Sequence, residues 1–124
     1  MRLRSFLLSA TAALLAGCTP FGPCTLIGCD DGLAVQFSRP PAGSFRLEAT
    51  VPNDPSVRAI ECDAAATCLL IFPGLTAPQV TLRLITAEGT LTQQFQPRYQ
   101  DQYPNGRRCG TACRQATVTF QLPA

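Results

Sequence analysis

The chain has 124 residues and a formal charge of +2, and it contains neither histidine nor tryptophan. Its ten basic residues are all arginine and stand against eight acids, without the clustered cation excess that nucleic-acid binding needs. The missing histidine and lysine remove the commonest general base and Schiff-base chemistry, and the length is that of one domain.

Met1-Arg2-Leu3-Arg4 is a cationic start, and residues 6–16 then read FLLSATAALLA, broken only by Ser9 and Thr11. A short charged start before a brief apolar run is the pattern of a secretory signal, too short to span a bilayer as a helix. Leu15-Ala16-Gly17-Cys18 follows at once and resembles the lipobox of bacterial lipoproteins at all four positions. The resemblance implies a diacylglyceryl thioether on Cys18, cleavage before it and acylation of the new amino group. Each buried CH₂ contributes about 0.8 kcal/mol, so two or more chains anchor firmly. Thr19, where an aspartate would signal inner-membrane retention, implies an outer-membrane destination.

The expected organisation is a signal peptide over 1–17, a lipidated tether over 18–32 and a folded domain over 33–124. Removing the 17 residues before Cys18 leaves 107, and with Arg2 and Arg4 gone the side-chain charge falls to zero. No remaining apolar run is long enough for a membrane span. Cys24, Cys29, Cys62, Cys68, Cys109 and Cys113 remain, an even set that in an exported small domain reads as three disulfides. Zinc fits less well: Cys109-x₃-Cys113 has suitable spacing, but Cys62-x₅-Cys68 does not and no histidine is present. The sequence therefore points to no metal and no cofactor.

Seven segments carry strand signals. Residues 33–37, 45–51, 80–84 and 115–122 alternate apolar with polar or small side chains, and Leu91 and Phe95 punctuate a Thr/Gln-rich run. Residues 57–62 are less regular, and 68–72 are nearly continuously apolar, as in a strand buried on both faces. Every proline after Cys18 falls outside these segments, which agrees with its inability to donate to a ladder. No segment has a convincing helical period; 63–66 is at most one turn. The reading is all-β: an antiparallel, immunoglobulin-like β-sandwich of about seven strands with three disulfides, a small barrel being the alternative.

If successive strands alternate direction, the first and last run the same way. Cys24, Cys29, Cys109 and Cys113 then gather at one end and Cys62 with Cys68 at the other. This predicts a local Cys62–Cys68 staple. The other four join the N-terminal segment to the loop before the last strand, as Cys24–Cys109 with Cys29–Cys113 or the crossed version. Two local loops, Cys24–Cys29 and Cys109–Cys113, are the competing arrangement. A tether pinned at Cys24 reaches roughly 20 Å at full stretch, so the domain is expected to stay at the membrane surface.

Catalytic candidates are few. Without histidine no Ser/His or Cys/His arrangement exists. Asp30, Asp31, Asp54, Asp63 and Asp101 show no spacing that fixes two carboxylates together, and Asp30-Asp31-Gly32 and Asn53-Asp54-Pro55 read as turns. The chain reads as no enzyme. Its most distinctive segment is 99–113, where Tyr99, Tyr103, Arg107 and Arg108 flank an Asn105-Gly106 turn. Tyrosine with arginine on a loop is a common make-up of interface hot spots. Residues 103–120 also resemble the closing part of small uncharacterised cysteine-rich envelope lipoproteins, a likeness that implies no activity.

Two functions follow as expectations. One is a noncatalytic lipid-anchored module of the bacterial envelope that binds an envelope protein or glycan or serves structurally. The other is an inhibitor that inserts the stapled 99–113 loop into an envelope or foreign hydrolase. The expected partners include the membrane through Cys18 and exclude nucleic acid.

Overall fold

A computed structural model describes residues 24–110 and 112–124. The expected signal segment 1–17, the expected lipidation site Cys18 and the expected tether as far as residue 23 lie outside the described residues. Eight strands run in chain order: β1 (Gly32–Phe37), β2 (Phe45–Thr50), β3 (Arg58–Cys62), β4 (Ile71–Pro73), β5 (Val80–Thr86), β6 (Gly89–Phe95), β7 (Gln100–Gln102) and β8 (Cys113–Phe120). One 3₁₀ turn, Ala65–Thr67, lies between β3 and β4. Among the described residues no helix is long and apolar enough to cross a membrane.

The strands form two four-stranded sheets, ordered β4-β1-β8-β7 and β3-β2-β5-β6. Alternation explains how they meet. Phe45, Leu47 and Ala49 of β2 and Val80, Leu82 and Leu84 of β5 turn inward, while Arg46, Glu48 and Arg83 line the outer face. Leu33 and Val35 of β1, Phe72 of β4 and Ala116, Val118 and Phe120 of β8 close over them from the other sheet. Phe120 is fully buried, its ring 5.9 Å from Phe37 and 6.3 Å from Phe95. The molecule is thus all-β, two sheets around one core, with three disulfides.

β1 and β8 pair in parallel from Gly32↔Gln115 to Phe37↔Phe120, so the first and last strands do run the same way. β4 pairs antiparallel with the other edge of β1, Gly32 lying opposite Pro73. A Cβ at Gly32 would stand 2.8 Å from the Phe72 carbonyl oxygen, which accounts for glycine where the two backbones meet. In the second sheet every pairing is antiparallel.

Among the described residues the strand count is eight where seven were expected, and the extra strand falls inside the segment expected to be a loop. β7 pairs Gln100, Asp101 and Gln102 with Gln115, Arg114 and Cys113. All three β7 residues are exposed, so the strand carries no apolar alternation and exists through its pairing with β8. β4 is shorter than expected and shifted toward Pro73, although the Leu70 carbonyl still accepts the Val35 amide at 2.8 Å. In the β2–β3 turn, Asn53 adopts φ 64° and the Ser56 amide donates to the Asp54 carboxylate, holding it below the usual carboxylate range.

The disulfides are Cys24–Cys109, Cys29–Cys113 and Cys62–Cys68, with Cα–Cα distances of 5.3, 5.8 and 5.7 Å. The first two join residues 85 and 84 positions apart; the third closes a separation of 6. Cys62 lies opposite Phe45 at the start of β2, whose ring is 5.4 Å from Phe37 at the end of β1. The short staple and the long pair therefore occupy opposite ends of the sandwich.

Candidate functional site

Segments 24–31 and 103–110 lie outside the ladders, so their backbone groups need other partners. They find them in each other. The Asn105 carboxamide oxygen accepts the Thr25 hydroxyl at 2.6 Å and the Ile27 amide at 2.8 Å, and its nitrogen donates to the Ile27 carbonyl at 2.9 Å. Nearer β8, the Arg114 amide donates to the Asp31 carboxylate at 2.7 Å and the Gln115 carboxamide donates to the Asp30 carbonyl at 2.9 Å. With the two long disulfides, these bonds make segment 24–31 part of the domain from Cys24 onward. Cys113 shows the result: its position in β8 has the outward parity of Gln115, yet it is buried.

The Asn-Gly turn fixes the loop itself. Gly106 takes φ 84°, its amide donates to the Tyr103 carbonyl at 2.9 Å, and the Cys109 amide donates to the Gly106 carbonyl at 3.1 Å. The left-handed φ suits glycine at that position. Arg107 lies over the Tyr103 ring, 5.4 Å from its centroid, so tyrosine and arginine form one exposed stack. Arg107 and Arg108 are exposed and Tyr103 is half-buried.

Tyr99 stands apart from those three. It packs against the core, and its hydroxyl donates to the Ala77 carbonyl at 2.8 Å. Burial pushes its phenol above the ordinary tyrosine value, opposed in part by the Arg114 guanidinium, which lies 5.9 Å from the ring centroid. Arg114 also faces Asp101 at 3.8 Å. Of the expected binding residues, then, Tyr103, Arg107 and Arg108 lie on the loop while Tyr99 packs against the core and Ala77.

Sequence reasoning passed over Leu26 and Ile27. They are 99% and 57% exposed, on the segment that Asn105 holds. A large aliphatic pair outside every strand-like period was the available signal. Of the candidate carboxylates, Asp31 and Asp101 each contact Arg114, on its amide and its guanidinium, while Asp63 lies beside Cys62 at the other end. Among the described residues no cluster of histidine, cysteine or acidic side chains is placed to hold a metal ion, and all six sulfurs are bonded in pairs. At the far end a cavity of about 420 Å³ opens between residues 39–42, Leu84, Leu91 and Leu122, with Arg39 and Glu88 among its polar side chains.

No protein-family model matches this chain, no curated protein matches it in sequence, and no solved structure matches its fold.

Proposed function

We propose that this protein is a noncatalytic, lipid-anchored module of the bacterial cell envelope, held at the outer membrane through Cys18 and binding a protein or glycan with the 103–110 loop. The observation that carries the reading is the double fastening of segment 24–31, to that loop by Cys24–Cys109 and to the start of β8 by Cys29–Cys113. It joins the part of the chain nearest the lipobox to the most distinctive exposed surface. Tyr103 and Arg107 stacked on a bonded turn supply rigid aromatic and cationic contact area, the chemistry of an interface anchor. Crosslinking in native membranes followed by capture tests it. A discrete partner should be recovered with the natural chain and lost with Arg107→Ala/Arg108→Ala; identical recovery from both contradicts the loop's role.

An immunoglobulin-like classification belongs to the same proposal. In its favour are two face-packed sheets of short strands and the adjacency of β2 and β5 in the middle of one sheet. The parallel β1–β8 pairing and the eighth strand give it an order of its own.

Inhibition of a hydrolase is the second reading, favoured by the closed hydrogen bonding of the turn from Tyr103 to Cys109. A preorganised loop loses little freedom on insertion into a cleft. Inhibition of envelope hydrolases by the natural chain, abolished in the double arginine variant, separates this reading from the first.

A further inference from the structure

A loose tail can fold an apolar side chain away from water; a segment fastened at both ends cannot. Cys24 and Cys29 fasten the segment carrying Leu26 and Ile27, and Asn105 holds both backbone polar groups of Ile27 between them. Two adjacent aliphatic side chains, 99% and 57% exposed, are thereby held out in solvent. The other exposed large aliphatics, Leu69 (76%), Val57 (53%), Ile71 and Leu91 (39% each), lie outside this segment, Leu69 beyond the short staple at the opposite end.

We propose that Leu26 and Ile27 are the domain's membrane seat, entering the lipid interface. The inference rests on the reading of Cys18 as lipid-bearing. Six chain steps from Cys18 to Cys24 reach roughly 20 Å at full stretch, and Leu26 lies two residues further on. The end of the sandwich holding Cys24 is therefore close to the bilayer. The end holding Leu69 is a strand's length away, roughly 20–25 Å for strands of six to eight residues. Apolar side chains beside cations suit the boundary between acyl chains and headgroups. Residues 103–110 carry Arg107 and Arg108 and no acid. Of the neighbouring acids, Asp31 accepts the Arg114 amide and Asp101 faces the Arg114 guanidinium, while Asp30 is exposed. A lipid surface thus fits this face better through its aliphatic pair than through net charge.

The absence of tryptophan makes the test direct. Full-length Leu26→Trp and Leu69→Trp chains, processed through their own signal, are reconstituted in phosphatidylethanolamine/phosphatidylglycerol vesicles with or without brominated acyl chains. Both positions are exposed, so neither substitution disturbs the core, and a peptide map without reduction verifies the three disulfides. The proposal expects bromine to quench the tryptophan at 26 several-fold more than that at 69. Equal quenching at both positions overturns the proposal, as does a blue-shifted, unquenched emission at 26, which means a protein or a second copy covers it. The mass of the Cys18 peptide from the same preparation separates the two readings. With lipid present and quenching equal, the anchor stands and the seat falls; with no lipid on Cys18, both fall.

Discussion

Asn105 pairs with Ile27 as a strand residue would, its carboxamide accepting the Ile27 amide and donating to the Ile27 carbonyl across 78 positions of sequence. A side chain here does the work of a ladder, because Ile27 lies in no strand. Each net hydrogen bond contributes about 0.5–1.5 kcal/mol, and these are exposed. Asn105→Ala should therefore lower unfolding stability by about 1–2 kcal/mol. Denaturant melts of the oxidised protein measure it, and an unchanged midpoint would show that the two disulfides alone hold the segment.

The two long disulfides should prove non-additive. With one in place, the ring closed by the other shrinks to the few residues between Cys24 and Cys29 and between Cys109 and Cys113. In the loop-entropy account such a ring is worth about 2–3 kcal/mol, while the last bridge across 85 positions is worth about 4–5 kcal/mol. Replacing either pair by serines should cost the smaller amount and removing the second pair the larger. Equal costs in both steps would contradict the nested geometry.

Phe120 joins the two sheets, packing between Phe37 and Phe95 without exposure. Phe120→Ala should cost about 3–5 kcal/mol through lost burial and the cavity left behind. That is a large part of a small domain's total stability. Thermal melts with the disulfides intact and reduced should show the variant folded only when oxidised.

Tyr99 ionises above its ordinary value of 10.0 because burial disfavours the phenolate. A raised folded value means that the neutral form is the one the fold stabilises. The contribution is fully present below the unfolded value and is lost as pH rises through the folded one. Phenolate absorbance should show a late-titrating tyrosine that Tyr99→Phe removes, and the variant should lose stability less steeply at alkaline pH. Loss of the bond to Ala77 should cost that variant about 1 kcal/mol near neutrality.

What the sequence revealed depended on burial. β2 and β5 alternate cleanly because each turns one face to the core and the other to water, so their residues carry the period. Placing the cysteines needed only strand direction, which is why the long pair and the short staple could be assigned to opposite ends. The choice between parallel and crossed pairing needed the loop geometry and could not be read beforehand. β7 stayed hidden because Gln100, Asp101 and Gln102 are all exposed and carry no period. The outward hold on Leu26 stayed hidden as well, since it depends on Asn105 meeting a segment nearly eighty residues away.

The envelope assignment depends on Cys18 more than on any other residue. Intact mass and tandem spectra of the N-terminal peptide, taken from protein purified out of membranes, test it most directly. The account predicts a mature chain that begins at Cys18, carries a diacylglyceryl thioether and an acylated amino group, and has lost residues 1–17. A chain that begins elsewhere, or a Cys18 found as a free thiol or in a disulfide, would contradict it.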